Sequence, residues 1–145
     1  MNISKEDLIK KFDGTSLEPK SIILVVHFKE VLNLIQAKPL PLSHYCYVIL
    51  DVANPCDDSN LKYVIYQNLE TGRIWAREID DFFEDHDVLF PSGRNEVLPR
   101  FTEVSEKHLD ILRQNIETVY PTLRFLLNGE EKNECKFDVN KIWYV

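Results

Sequence analysis

Trp75 and Arg77 are the side chains of this chain with the plainest capacity for recognition chemistry. Separated by Ala76 in an extended run, they project from one face of a strand, about 7 Å apart. Tyr66 or Tyr63 on a neighbouring strand can join them. An aromatic platform beside a guanidinium holds a ring or an anion by stacking and hydrogen bonding. The same spacing suits a core tryptophan covered by an arginine stem that pairs with Glu78 or Glu84. A second cluster is the acidic run Asp80, Asp81, Glu84, Asp85 and Asp87. Several carboxylates attract a hard divalent cation, but the alternating Asp-x-Asp-x-Asp-Gly of a calcium loop is missing. Like charges at this density read as a solvated or partner-facing helix face.

His44 and Cys46 stand two apart in an extended run, and Cys56 follows in a polar loop. Three such ligands would suit zinc, yet the spacing matches no zinc module, and a buried strand accounts for them. A cysteine nucleophile needs a nearby base and a cation or helix N-terminus, whereas Cys56 stands beside Asp57 and Asp58. Ser92 lies in Pro91-Ser92-Gly93, a turn, with no G-x-S-x-G elbow around it. No catalytic residue, metal or cofactor is assigned from these patterns. The candidate ligand- or partner-binding residues are Tyr66, Trp75, Arg77, Asp80, Asp81 and Glu84.

The elements that must carry them belong to a chain of 145 residues, the commonest size for one domain. Hydrophobic residues make up 44% and charged residues 28%, which suits a packed core and excludes extended disorder. Only four glycines occur, too few for a phosphate-cradling loop or a turn-dense sandwich. The formal charge is −7, from 24 acids and 17 bases. That balance weighs against general nucleic-acid binding, although Arg94, Arg100, Lys107 and Arg113 could form a local basic patch. Three cysteines, Cys46, Cys56 and Cys135, without a CxxC or a secretory leader, point to reduced thiols in the cytoplasm. Apolar runs such as Ile22–Val26 are far too short to span a membrane.

Ser4 is placed to cap a short helix with Leu8, Ile9 and Phe12 on its apolar edge. Ile22–Val26 is β-branched enough for a strand. Helical spacing of Ile22, Val25, Phe28, Leu32 and Ile35 nevertheless favours one continuous helix up to Lys38-Pro39. His44–Ala53 reads as a central strand, Lys62–Gln67 as a second and Arg73–Glu78 as a third, with a turn at Leu69–Gly72. Ile79–Asp85 reads as a helical turn and Glu96–Val104 as extended. Ser105 caps a helix whose face is Leu109, Leu112, Ile116 and Val119; Pro121 interrupts it, and a shorter helical piece continues to Asn128-Gly129. Cys135–Val139 and Lys141–Val145 read as strands, and the Ile142–Val145 end closes the core or packs on a second subunit. The fold class expected is α+β, a twisted antiparallel sheet of three or more strands within about 44–104, flanked by N- and C-terminal helices.

Tyr47-Val48-Ile49 leading to Ala53, Val64 through Leu69, Ile74-Trp75-Ala76-Arg77 and Phe82-Phe83-Glu84 follow one another in a distinctive order. Over residues 44–85 this resembles a small bacterial and phage domain family of unknown function, whose pattern is HFKG…YxV…A…VVYxxL…WVRPxxxFxE. Glu78 stands where the family pattern has proline, and His27-Phe28-Lys29 is followed by Glu30 rather than glycine. The resemblance implies a twisted β core decorated by helices and carries no catalytic residue, substrate or partner. The function expected is therefore a non-enzymatic interaction protein with a protein partner. Its specific form would be a small acidic phage or mobile-element protein that blocks a basic host factor. The alternative is an enzyme or sensor for a small anionic ligand, with Arg77 as anchor and His44 or His86 handling the proton.

Overall fold

The computed structural model describes residues 3–13, 22–35, 38–57 and 60–128. Five antiparallel strands form the main sheet: β1 (Leu24–His27), β2 (Cys46–Ala53), β3 (Tyr63–Asn68), β4 (Ile74–Glu78) and β7 (Phe101–Glu103), in the order β4-β3-β2-β1-β7. Strands β5 (Asp85–Leu89) and β6 (Asn95–Pro99) make a separate two-stranded ribbon. Helices α1 (Lys5–Phe12) and α2 (Ile79–Phe82) cover one face of the main sheet, and α3 (Glu106–Gln114) with the 3₁₀ turn Pro121–Leu127 covers the other. The fold is α+β, as expected from three consecutive strands between helical ends. Among the described residues no helix is long and apolar enough to cross a membrane.

The local reasons are readable residue by residue. Ser4 caps α1 by accepting the Asp7 amide at 3.1 Å, and Leu8 and Phe12, one turn apart, face the sheet. In the β3–β4 hairpin Gly72 takes φ 75°, a conformation that L side chains disfavour, and a Cβ there would lie 2.8 Å from the Tyr120 ring. Ser105 caps α3, accepting the His108 amide at 3.2 Å while the His108 ring accepts the Ser105 amide at 3.1 Å. Leu112 and Val119 are buried, with Leu109 and Ile116 packed beside them, but the four do not form one helix face: α3 ends at Gln114, Ile116 lies in a separate 3₁₀ turn and Val119 just beyond it. Each such leucine contributes roughly 1.5–3 kcal/mol by leaving water.

Three expectations are corrected. Ile22–Ile35 is not one helix: β1 pairs with β2 and β7, and a 3₁₀ helix follows from Phe28 to Ile35. Because β1 is interior, Val25 is buried on the α1 side and Val26 on the α3 side. An all-apolar run satisfies a helical template by default, so its spacing did not discriminate. His44 is not in a strand but in the 3₁₀ turn Leu42–Tyr45, which Pro41 leads into, and β2 begins at Cys46. The acidic run is not one helix face either. Asp80 and Asp81 are in α2, whereas Asp85 and Asp87 alternate along β5. The expected strands at Cys135–Val139 and Lys141–Val145 lie outside the described residues.

β2 carries a bulge, its register shifting between Ile49 and Asp51, so that Leu50 is the extra residue and stands partly exposed. The extended stretch after Glu96 is two strands in two sheets, and Arg100 is the pivot. Its amide donates to the Glu84 carbonyl at 2.9 Å, and its carbonyl accepts the Phe28 amide at 2.9 Å. One residue thus ties the ribbon to the edge of the main sheet.

Candidate functional site

Four of the six candidate residues converge at the end of the sheet capped by α2. The β3–β4 register pairs Tyr66 with Trp75 and Val64 with Arg77, which sets Tyr66, Trp75 and Arg77 on one face. Arg77 Nε donates to Tyr66 Oη at 3.1 Å, and its Nη1 donates to Asp81 Oδ2 at 2.7 Å. Arg100 supplies the second cation. Its Nε donates to the Asp81 carbonyl at 3.0 Å, and its Nη2 reaches Asp81 Oδ1 at 3.3 Å and Glu84 Oε1 at 3.1 Å. Two guanidiniums and two carboxylates thereby close a network across α2 and the start of the ribbon. The hydrogen bond from Arg77 holds the Asp81 carboxyl below the usual carboxylate range, with Arg100 adding to it. Burial opposes the Arg77 charge, but its bonds to Tyr66 and Asp81 outweigh that and hold its pKa above the usual value.

Trp75 and Asp80 stand outside this network. Trp75 is 42% exposed, and the guanidinium over its ring is that of Arg73, at 4.4 Å, rather than Arg77. Asp80 pairs with Lys5 of α1. Glu78 is no partner of Arg77; its carboxylate caps α2, accepting the amides of Asp80 at 3.1 Å and Asp81 at 3.3 Å. The cavities nearest the aromatic core and α3 are lined by Ile3, Phe83 and Thr102, and by Leu42, Ile111 and Thr118 respectively, not by Trp75 or Arg77.

The zinc candidates separate. His44 Nδ1 lies 2.8 Å from a Glu70 carboxylate oxygen, Cys46 is fully buried with its thiol pushed by burial up to about 12, and Cys56 is exposed. Among the described residues no group of three or more His, Cys, Asp or Glu side chains could hold a metal ion. Three of the four basic candidates are already engaged within the fold. Arg94 pairs with Glu96 at 2.7 Å, Arg100 is enclosed by carboxylates, and Arg113 donates to the Leu127 carbonyl at 2.6 Å.

Beside the network lies an aromatic cluster that spacing did not reveal. Phe28 stacks on His27 at 4.6 Å and on His86 at 5.1 Å between ring centroids, and Phe101 packs edge-on to His27. These contacts join β1, β5 and β7, elements that share no sequence motif; only the alternation His86, Val88, Phe90 hints at an inward face. His86 Nε2 has no hydrogen-bond partner and lies 3.6 Å from Glu84 Oε1. Burial, helped by the nearby charges of Lys29 and Arg100, pushes the His27 ring down to about 4.

A folded pKa below the unfolded value of 6.5 means that the unfolded chain takes up the proton first as pH falls. His27 therefore costs no stability above pH 6.5, and its penalty accumulates down to about 4. Discounted for the ring's partial exposure, the loss is roughly 1–2 kcal/mol. Urea melts between these pH values should show a shallower decline for His27→Gln than for the parent. Parallel declines would remove His27 as the cause.

The other face of the ribbon points away from the protein. The register Asp85↔Pro99, Asp87↔Val97, Leu89↔Asn95 puts these residues on one side, while His86, Val88, Glu96 and Leu98 face the other. Leu89 is 70% exposed and Val97 63% exposed, the two most exposed large apolar side chains described. Among the described residues no cation lies within ion-pair distance of Asp85 or Asp87. No family model, no curated protein and no solved structure matches the chain.

Proposed function

We propose that this is a non-enzymatic protein-binding domain whose docking surface is the outward face of the β5–β6 ribbon, and whose partner presents a basic surface with an apolar patch. The carrying observation is that Leu89 and Val97, both largely in water, share a ribbon face with the carboxylates of Asp85 and Asp87, which pair with no cation among the described residues. An isolated apolar side chain on a surface is ordinary; two on a two-stranded ribbon, flanked by uncompensated charge, suit an interface with an apolar centre and a polar rim. The overall charge of −7 supports a basic partner by steering encounter. Blocking a basic host factor is the specific form of this role.

The anionic-ligand reading finds less support. Arg77 and Arg100 are already engaged by Asp81 and Glu84, so an anion would have to displace two carboxylates to reach them.

Affinity capture from a lysate of the source organism, with the parent chain and a Leu89→Lys/Val97→Lys double variant as paired baits, tests the proposal. Both positions are solvent-exposed, so stability should change by less than about 0.5 kcal/mol. A basic protein retained by the parent should be lost at least about tenfold by the variant, since central apolar contacts carry most binding energy. Equal retention of every captured protein by both baits would sink the proposed surface.

A further inference from the structure

We infer that β4 is a self-pairing edge, through which two copies of the chain join antiparallel about Ala76 into one continuous ten-stranded sheet. Strand β4 ends the order β4-β3-β2-β1-β7, so among the described residues its outer side pairs with nothing. The inward hydrogen bonds are fixed by two flanking contacts: the Asn68 amide donates to the Arg73 carbonyl, and the Ile79 amide to the Lys62 carbonyl, both at 2.9 Å. Counting along the antiparallel ladder, Arg73, Trp75 and Arg77 bond inward to β3, while Ile74, Ala76 and Glu78 turn their backbone groups outward.

Native edges are usually blunted by lysine, proline, a bulge or covering structure. Among the described residues Ile74-Trp75-Ala76 has none of these, and all three residues are exposed, Ile74 at 57%.

The edge is also complementary to itself. An antiparallel pair centred on Ala76 sets Ile74 opposite Glu78 of the second copy and Ala76 opposite Ala76, so every outward-facing position meets another. Trp75 then lies beside Arg77 of the second copy, a cross-strand aromatic–cation neighbour on the shared face. Charge selects the same arrangement. Strand β4 is entered by the cation Arg73 and left through Glu78, Asp80 and Asp81. Antiparallel pairing brings Arg73 of each copy to the acidic end of the other, twice over. Parallel pairing would set like charges side by side. The centre falls on the smallest side chain of the strand, which allows the two backbones to approach. A two-fold axis midway between the two Ala76 residues closes the assembly as a dimer.

Cross-linking of the full chain reads out this register. In a Cys56→Ser/Cys135→Ser background, Ala76→Cys brings two thiols together, because Cα atoms of a hydrogen-bonded pair lie about 5.5 Å apart, within disulfide reach. Ile74→Cys places its two copies about 14 Å apart, beyond that reach. Mild oxidation should give a covalent dimer from Ala76→Cys at least about tenfold faster than from Ile74→Cys. Sedimentation of the parent should show a concentration-dependent dimer. Ala76→Pro removes only an outward amide, so it should keep the folded circular-dichroism spectrum while weakening the dimer at least about tenfold. A monomer mass at every concentration up to about 100 µM, or equal cross-linking of the two cysteine variants, would overturn the inference.

Discussion

Replacing Phe101 by alanine is expected to lower the stability of the fold by about 4 kcal/mol and its Tm by about 10–15 °C. Phe101, on β7, is the point where side chains of β1, β2, β3 and α2 meet. Its ring stacks on Phe82 at 4.4 Å and packs edge-on against His27 at 5.1 Å, Tyr66 at 5.5 Å and Tyr47 at 5.6 Å. The residue is 8% exposed, on a strand of only three residues. Truncation leaves a void lined by rigid rings, each fixed by another element, so little collapse can offset the lost contacts. Tyr66 would lose one wall, and with it the placement of the hydroxyl that accepts from Arg77. Phe101→Leu, which keeps most of the volume, should cost less than half as much. Chemical denaturation of the two variants measures both. A cost below about 1 kcal/mol for the alanine variant would mean that this cluster is not the structural centre.

Asn68→Ala is expected to cost about 3 kcal/mol by a different route. Asn68 is 5% exposed and ends β3. Its amide nitrogen donates to the His44 carbonyl at 3.0 Å, and its side-chain oxygen accepts the amides of Glu70 at 3.0 Å and Thr71 at 2.8 Å. One side chain thus shapes the β3–β4 turn and ties it to the start of β2. Alanine leaves a partly buried carbonyl without this donor and removes the acceptor that orders the turn, losses that exceed the worth of one ordinary hydrogen bond. Asn68→Asp preserves the acceptor and removes the donor, so its cost above neutral pH separates the two contributions. Equilibrium urea unfolding is the measurement, and an alanine variant within about 0.5 kcal/mol of the parent would contradict the role.

How far the sequence reveals this architecture depends on where each residue type has a single use. The β3–β4 hairpin is legible because alternating Val64 and Tyr66 lead into a glycine-closed turn. Ser105 is legible because a serine ahead of an amphipathic run has one common structural role. Ile22–Val26 misleads for the opposite reason: an interior strand is apolar on both faces and so carries no period. The acidic run misleads because charge density conceals the alternation of Asp85, Asp87 and Leu89 against His86 and Val88.

Part of the candidate site follows from strand alternation, which sets Tyr66 and Arg77 on one face. The division of cations between Trp75 and the carboxylates does not. Arg73 and Arg77 both stand two residues from Trp75, and Asp81, four residues beyond Arg77 in α2, claims the latter. Arg100 carries no local signal at all, since its importance comes from sitting where two sheets part.

The proposed partner-binding face is that of the ribbon rather than the Trp75/Arg77 face. Amide hydrogen exchange of the chain, alone and with the basic protein captured by the parent bait, tests that choice most directly. Exchange should slow in residues 85–89 and 95–98, with no change in residues 63–67. Slowing confined to residues 63–67 and 74–78, with the ribbon unaffected, would contradict it.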